Sequence, residues 1–464
     1  GVVMKVHTAT IDGIDPVFTA INVRRRGGDG VDLLNFPAGV VLEMKTRVRC
    51  ALDQLHLGGA FTNVTVEAEP PPFVRTTSLD LAVALSLVGE LLGRGPALLR
   101  LSKTLVLGEL ALDGQVRPVR GVLPILLGAK EAGYERALIP AGNYLEARAA
   151  GLPLLLASHL IDGVGYLTGD ELPGELRTPA PPVVADTVDM ADVRGQAGAV
   201  RALTIAAAGG FNVLLLGPPG AGKTMLARRF ATILPTPSQE ERQEIASIRS
   251  CAGLLREDED PQLVGRPFRA PHHSVSSVAM LGGGPVMRPG EVSLAHNGVL
   301  FLDELSEFRR LVVEDLGAAL ERGQVHHVNS RREYRLPAKC QVIASENPCP
   351  CGYLGHPKQT CACTAQSLAV HQNRVATYAK ALHLDMVVRV DPVPPSRLVI
   401  PAAPSAELAA KVSAARLALS DLFIPCDVPL VERVALTISA LDGTIGVGEG
   451  QLAEATSLLW KDED

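Results

Sequence analysis

The stretch of sequence that decides the fold is Gly217-Pro218-Pro219-Gly220-Ala221-Gly222-Lys223-Thr224, called the P-loop below. An apolar run at 213–216 precedes it, and a helical pattern at 225–230 follows it. This is the strand, loop and helix of a phosphate-binding segment with the spacing G-x-x-x-x-G-K-[ST]. The glycines let backbone N–H groups face an anion, and the helix adds its positive N-terminal end. We expect Lys223 to contact the β- and γ-phosphates of a nucleotide and Thr224 to bind Mg²⁺.

Composition limits the class of protein. A chain of 464 residues predicts two or three domains, and 47% hydrophobic residues are enough to bury proper cores. The net charge of −6 gives no global basic signature, so any contact with nucleic acid must be a local patch. The sequence shows neither an apolar run of membrane-spanning length nor a secretion signal, and we expect a cytoplasmic protein that does not cross a membrane.

A second motif lies about eighty residues after the P-loop. The apolar run Val299–Leu302 ends in Asp303-Glu304, which predicts a buried parallel strand that delivers two carboxylates to its C-terminal edge. We expect Asp303 to join the Mg²⁺ shell and Glu304 to polarise an attacking water. The motif is weak alone, but it becomes specific when it follows a P-loop at this distance.

Four of the eight cysteines are packed into fifteen residues: Cys349, Cys351, Cys361 and Cys363. Such clustering favours a metal site in a reducing compartment over a disulfide framework. The two C-x-C pairs are tighter than the usual C-x₂-C of zinc sites. Structural zinc and free or redox-active thiols therefore both stay open. A zinc ion here would pin the loop that follows Asn347.

The N-terminal part resembles the Lon-protease-like domain, which has a ribosomal-S5-type α+β fold. The resemblance is carried by residues 108–110, 113–119 and 137–143, and it covers nearly all of residues 4–170. In Lon proteases a Ser–Lys dyad performs the hydrolysis. The matching positions here are Thr77 and Leu123, and a leucine cannot act as a base. We therefore expect a non-proteolytic scaffold or a platform for a protein partner.

The segments 266–276, 289–305 and 347–353 closely resemble the ComM/YifB family of magnesium-chelatase-like AAA+ ATPases. The resemblance implies an α/β fold in which a Lon-like domain precedes a P-loop AAA+ parallel sheet with a helical lid. We expect a Lon-like domain at 1–170, a Pro-rich linker at 171–188, an ATPase core at 189–398 and a lid at 399–464. Family members are hexameric rings with ATP between subunits, and ComM proteins are DNA branch-migration helicases that act in natural transformation.

The resemblance also implies roles for single residues. Asp192–Gln196 would pack over the adenine, and Asn347 would sense the γ-phosphate, although an asparagine that merely caps a strand is the alternative. Two arginines of the family are replaced. His383 stands where an arginine acts across the subunit interface, and Cys426 stands where the lid has one. Because a largely neutral histidine cannot replace a guanidinium fork, we expect ATP and Mg²⁺ to bind but hydrolysis to be slow, or rescued by Arg331 or Arg332.

The hairpin-like stretch at 326–335 is the best basic and aromatic patch of the chain. Its cationic residues are Arg331, Arg332 and Arg335. Three interpretations stay open: a pore hairpin that contacts a phosphate backbone, an arginine contact between subunits, and an ordinary solvated hairpin.

We expect a ring-forming, hexameric ATPase that moves or remodels DNA in transformation or recombination. The first alternative is a chelatase-like ATPase that remodels a protein partner. The second is a nucleotide-dependent switch with little turnover.

Overall fold

The computed structural model describes residues 5–93, 95–177, 188–444 and 446–460, which form two compact units. The first unit contains the described residues up to 177 together with two later segments, Arg242–Val264 and Gly284–Pro289. The second unit contains the other described residues. The linker predicted at 171–188 falls mainly on residues 178–187, which lie outside the described residues. The predicted domain limits stay predictions.

The elements before residue 170 alternate between strands and helices. The strands are β1 (Val6–Asp12), β2 (Asp15–Arg25), β3 (Val31–Leu34), β4 (Val64–Glu69), β5 (Thr104–Val106), β6 (Glu109–Leu110), β7 (Val116–Arg117), β8 (Arg136–Pro140) and β9 (Leu154–Ala157). The helices are α1 (Val41–Gln54), α2 (Asp80–Leu91), α3 (Gly95–Leu99), α4 (Val122–Glu131), α5 (Tyr144–Arg148) and α6 (Leu160–Thr168).

The elements after residue 188 follow the same alternation and end in three helices. The strands are β10 (Val213–Leu216), β11 (Phe268–Arg269), β12 (Gly282–Gly283), β13 (Arg288–Pro289), β14 (Val299–Leu302), β15 (Gln324–Val328), β16 (Glu333–Pro337), β17 (Gln341–Glu346) and β18 (Met386–Arg389). The helices are α7 (Ala197–Gly209), α8 (Lys223–Phe230), α9 (Gln239–Cys251), α10 (Ser277–Leu281), α11 (Glu291–Leu294), α12 (Arg310–Arg322), α13 (Ala365–Ala381), α14 (Ser405–Ser420), α15 (Leu430–Asp442) and α16 (Glu449–Leu458).

A mixed seven-stranded sheet lies at the centre of the first unit, in the order β3-β4-β2-β1-β5-β8-β9. Neighbours are antiparallel at β1–β2 and β2–β4 and parallel elsewhere in this sheet. Helix α2 is buried along nearly its whole length, including the carboxylate of Asp80. The guanidinium of Arg47 donates two hydrogen bonds to this carboxylate, at 2.7 and 3.1 Å, as a buried charge requires. Burial nevertheless raises the pKa of Asp80 to about 6.

A late segment of the chain completes the core of the first unit. Ile245 and Cys251 of α9 are buried in the same apolar cluster as α4 and α5. Beside them, the buried carboxylate of Glu146 accepts hydrogen bonds from the Leu123 N–H group, at 2.8 Å, and from the Ser250 hydroxyl. Desolvation raises the pKa of Glu146, so these donors stabilise a carboxyl group that has little contact with water. The first unit is therefore built from separate stretches of sequence.

The second unit is built on a parallel five-stranded sheet in the order β11-β14-β17-β10-β18. Its central strands are continuous apolar runs, because a parallel sheet is covered on both faces. Every residue of Val299–Leu302 is buried, for example. With the mixed sheet of the first unit, this parallel sheet confirms the predicted combination of an α+β domain and an AAA+ module.

Three C-terminal helices, α14, α15 and α16, pack with α7 into the hydrophobic core of the second unit. At the surface, the guanidinium of Arg201 on α7 forms ion pairs with Asp442 of α15, at 3.0 Å, and with Glu454 of α16, at 3.0 Å. The helices thus form the small helical bundle expected after the ATPase core.

Within the described ranges, no helix is both long enough and apolar enough to cross a bilayer.

Candidate nucleotide-binding site

The carboxyl ends of β10, β14 and β17 meet at one edge of the parallel sheet. The P-loop follows β10, Asp303-Glu304 follows β14, and Asn347 follows β17. The last residues of β10 and β17, Leu216 and Glu346, are register partners. Ligands of open α/β sheets bind at this edge. The fold therefore brings the predicted phosphate-binding, metal-binding and water-activating residues to one place.

The P-loop leaves β10 at a position that requires glycine. A β-carbon on Gly217 would lie 2.0 Å from the carbonyl oxygen of Val390. Gly222 has a φ of 103°, in the left-handed region, and caps helix α8, which begins at Lys223. Thr224 lies in the first turn of this helix and is exposed. Its hydroxyl is accessible to a metal ion, as the predicted Mg²⁺ role requires.

The ammonium group of Lys223 lies inside the P-loop. Nζ donates hydrogen bonds to the carbonyl oxygens of Gly217, at 2.5 Å, and Pro218, at 2.9 Å, and to Oδ1 of Asn347, at 3.2 Å. Burial lowers the pKa of this ammonium group. Three carboxylates oppose the shift: Asp303, Glu346 and Glu304. Lys223, Asn347 and the acidic residues therefore form one electrostatic unit.

Ser345 connects the two acidic residues. Its hydroxyl donates to Oδ1 of Asp303, and its Oγ accepts the N–H of Glu304 at 3.3 Å. Glu304 has φ 53° and ψ 61°, a left-handed conformation that is uncommon for a residue other than glycine. Both carboxylates are exposed, so water and metal can reach them. Unusual backbone conformations of this kind concentrate at functional sites.

Sequence reasoning did not identify Glu346 as part of the site. Its side chain is 4% exposed. Its carboxylate accepts hydrogen bonds from the N–H groups of Ser306, at 2.6 Å, and Asn347, at 3.0 Å. Glu346 thereby connects the segment after Glu304 to the predicted sensor. A charged residue at the end of an apolar strand was the signal in the sequence that could have revealed it.

Asn347 is held from two sides. Its Oδ1 accepts from Lys223, and its carbonyl oxygen lies 3.0 Å from Nε2 of His371. Because a carbonyl can only accept, Nε2 of His371 carries the proton. The side-chain amide of Asn347 thus points at the lysine that is expected to hold the phosphates. Its role as γ-phosphate sensor remains a prediction.

A cavity of about 1250 Å³ lies on the second unit beside these groups. Its lining includes Gly195, Gln196, Asn347, Asp391, Arg397 and Trp460. The Gln196 amide donates to the carbonyl oxygens of Ala221, at 3.2 Å, and Asp391, at 2.8 Å. The segment expected to cover the adenine is therefore tied to the P-loop, and the cavity is ample for a nucleoside.

The two positions at which the family resemblance predicts arginines, His383 and Cys426, lie on the surface. His383 follows α13, is exposed and has a φ of 55°. Its carbonyl oxygen accepts a hydrogen bond from the side chain of Asn212 at 3.4 Å. Cys426 is exposed in the segment between α14 and α15. Both side chains are accessible from outside the chain.

The four clustered cysteines converge. The Sγ atoms of Cys349, Cys351, Cys361 and Cys363 lie within 4.8 Å of one another, and three of the separations are 3.3, 3.6 and 3.7 Å. A tetrahedral zinc ion with Zn–S distances of about 2.3 Å needs sulfur atoms about 3.8 Å apart. The donor set and its geometry therefore fit a zinc ion.

The hairpin β15–β16 carries the predicted cationic patch. Arg331 and Arg335 are exposed, and the guanidinium of Arg332 lies 4.3 Å from the ring centroid of Tyr334. Arg335 forms an ion pair of 2.9 Å with Glu333, which offsets part of the positive charge. The patch is thus weaker in net charge than its arginines suggest.

The first unit has no lysine at the position of the Lon dyad. Leu123, at the lysine position, is fully buried in the core on α4. Thr77, at the serine position, is partly buried just before α2. A buried leucine at this point fits a structural role for the unit.

Comparison with known proteins gives matches to both units. A family model described as magnesium chelatase, subunit ChlI, matches residues 189–398. A second model, described as subunit ChlI of Mg-chelatase, matches residues 21–143.

Three relatives align over most of their length. The chain is 35% identical over 426 residues to the uncharacterized protein YifB of Escherichia coli K12, which covers 89% of this chain and 81% of YifB. It is 35% identical over 379 residues to the competence protein ComM of Haemophilus influenzae, covering 80% of this chain and 73% of ComM. It is 37% identical over 376 residues to an uncharacterized protein of Mycobacterium tuberculosis H37Rv, and the alignment covers 78% of this chain and 72% of that protein.

Proposed function

Because the chain belongs to the ComM/YifB family of magnesium-chelatase-like AAA+ ATPases, we propose that it is a ring-forming ATP hydrolase that remodels DNA. The observation that carries the proposal is the convergence of Lys223, Asp303, Glu304 and Asn347 at one edge of the parallel sheet. Of these residues, Asn347 also lines the cavity that accommodates a nucleoside. Fold membership alone does not establish an activity, so the argument rests on these side chains.

The P-loop would bind the triphosphate through its backbone N–H groups. Lys223 would exchange the carbonyl oxygens that it now contacts for phosphate oxygens, which are stronger acceptors for an ammonium group. Thr224 and Asp303 would hold Mg²⁺, and this ion supplies charge neutralisation at the β- and γ-phosphates. Hard oxygen ligands of this kind suit Mg²⁺.

Glu304 would act on the attacking water. Its carboxylate is exposed at the strand edge, and the link from its N–H group to Ser345 and on to Asp303 fixes the backbone at this point. A carboxylate within hydrogen-bond reach of a water can orient it and accept its proton. Asn347, tied to Lys223, would donate its amide N–H to the γ-phosphate.

We include a ring in the proposal, and the exposure of His383 is compatible with it. In such a ring, the side chain at this position would face the nucleotide of a neighbouring subunit. We expect a hexamer in the presence of ATP, which native mass measurement would detect.

DNA is proposed as the substrate on the basis of the β15–β16 hairpin. It presents Arg331 and Arg335 to solvent, and exposed guanidinium groups supply the electrostatic contacts that bind a phosphate backbone. Tyr334 is buried beneath Arg332, so the hairpin supports backbone contacts rather than base stacking. ComM of Haemophilus influenzae is named a competence protein, which is consistent with the proposed DNA substrate.

The test is a DNA-dependent ATPase assay. We expect DNA to stimulate turnover, Lys223→Ala to abolish it, and Arg331→Ala with Arg332→Ala to weaken DNA binding. A plot of the logarithm of the DNA association constant against the logarithm of the salt concentration has a negative slope. Removal of two phosphate contacts should reduce the magnitude of that slope by about 2. The matched control is Arg24→Ala with Arg25→Ala, which removes the same charge from exposed positions at the end of β2. ATPase activity without a DNA effect would favour a protein substrate, and tight ATP binding without turnover would favour a switch.

We further propose that the cysteine cluster binds one structural zinc ion. We expect purified protein to contain about one zinc per chain and Cys361→Ser to lose it, because three thiolates no longer close the tetrahedron. The expected consequence is a lower melting temperature of the second unit, measured by calorimetry with metal analysis. Cys426→Ser is the control, since this exposed cysteine lies outside the cluster. Zinc-free wild-type protein, or equal zinc loss in both variants, would contradict the proposal.

A further inference from the structure

The loop that carries the cysteines, residues 349–363, contacts the P-loop directly. The contact is made by Gly352: a β-carbon placed on it would lie 2.7 Å from Cδ and 3.0 Å from Cγ of Pro219. Real β-carbons essentially never approach other heavy atoms below 3.0 Å. Gly352 also has a φ of 86°, in the left-handed region that favours glycine. Two independent constraints therefore select glycine at this point.

The position of Gly352 depends on the cysteine cluster. Its N–H group donates to the carbonyl oxygen of Cys349 at 3.0 Å, and the N–H of Leu354 donates to Sγ of the same cysteine at 3.3 Å. Cys349 is fully buried. The turn that places Gly352 against Pro219 is thus built on one of the four sulfur ligands.

The other end of the segment also contacts the P-loop, through Oδ1 of Asn347 and Nζ of Lys223. Residues 347–352 consequently approach the P-loop at two of its residues, Pro219 and Lys223. Pro219 is followed by Gly220, with a φ of 77°, where the backbone has wide conformational freedom. A rigid neighbour at Pro219 would restrict that freedom.

We propose that the cysteine loop is a brace that holds the P-loop in its phosphate-binding shape, with Gly352 as the positioning residue. The metal held by the four cysteines fixes the brace, so metal occupancy and nucleotide affinity are coupled. This inference rests on the proposed ATP and zinc binding. Since ordering a binding loop in advance removes part of the entropy cost of binding, loss of the brace weakens affinity for the nucleotide.

The test compares two glycines with the same left-handed backbone conformation. Gly352→Ala should weaken the affinity for a fluorescent ATP analogue by about tenfold or more, the effect of about 1.4 kcal/mol. Gly323→Ala, at the end of α12, is the matched control: Gly323 has a φ of 70°, and no described atom beyond its chain neighbours lies within 4 Å of its would-be β-carbon. It introduces the same kind of backbone strain without touching the P-loop, so we expect its affinity to change less than about twofold. Both variants should retain zinc.

Two further measurements separate a direct contact from general damage. Pro219→Ala removes the ring atoms that Gly352→Ala would strike, so the double variant should bind nucleotide more tightly than Gly352→Ala alone. Removal of zinc from wild-type protein by a chelator should also weaken binding, and it should weaken Gly352→Ala much less. Equal affinity of the two glycine variants, absence of rescue, or zinc removal that leaves wild-type affinity unchanged would overturn the brace. Wild-type protein that binds no nucleotide would refute the proposed function itself, and the brace with it.

Discussion

Glu304→Gln is expected to leave ATP binding intact and to lower the rate of ATP hydrolysis by about 10²–10⁴-fold, the range typical of a lost general base. The amide has nearly the shape of the carboxylate, but it cannot accept a proton from the attacking water. The backbone at this residue, with φ 53°, should tolerate the change because side-chain size is conserved. Single-turnover hydrolysis and equilibrium binding of ATP, measured on the same preparation, separate the two effects.

Glu321→Gln is the control for this prediction. Glu321 is also exposed, but it lies in the last turn of α12, outside the cavity that Glu304 lines together with Asn347. We expect its turnover to remain within about twofold of wild type, as for a surface substitution away from the site. If both variants hydrolysed ATP at the wild-type rate, Glu304 would not be the base. If Glu304→Gln lost ATP affinity instead, its role would be in binding.

His383→Arg is expected to raise the rate of ATP hydrolysis by at least about tenfold. An arginine finger contributes about 10³–10⁵ in the rate of GTPases, and a single substitution is expected to regain only part of such an effect. The site is exposed after α13, so the longer side chain has room. His383→Lys is the control, because it supplies charge without the planar fork that binds phosphate oxygens in two places.

A mixing experiment tests whether the new arginine acts on a neighbouring subunit. The double variant His383→Arg with Lys223→Ala should be inactive alone, since its own P-loop cannot hold ATP. Added to wild-type protein, it should increase turnover per wild-type site, because its arginine reaches a neighbour's nucleotide. Unchanged turnover in the mixture, together with an active His383→Arg, would place the arginine in the subunit that carries it. Unchanged turnover of His383→Arg itself would refute the idea that the missing arginine limits the rate.

The fold of the second unit was predictable because its signals are local. The P-loop spacing specifies a strand before Gly217 and a helix from Lys223, and the apolar run before Asp303 specifies a buried parallel strand. Because the ligand groups must meet at a common edge, the three strands that carry them are expected to be parallel; their order is seen only in the structure. The cysteine spacing left zinc and free thiols open, and only the sulfur positions show that four ligands converge.

Other features depend on contacts that no local pattern encodes. The apolar face of α9 is visible in the sequence, but its partners in the first unit are about a hundred residues away. The carboxylate of Glu346 acquires its two donors only when β17 ends beside Ser306. The contact between Gly352 and Pro219 joins two loops. In each case the chemistry is decided by residues distant in sequence.

The discontinuity of the first unit has a practical consequence for anyone who cuts the protein into parts. A fragment that stops at residue 182 would lack Ile245 and Cys251 and would expose the apolar surface that they cover. It would also leave Glu146 without the Ser250 hydroxyl. Such a fragment should aggregate or melt early, whereas a graft of residues 242–264 through a flexible tether should restore its solubility. The compact domain therefore includes residues 242–264 in addition to its N-terminal stretch.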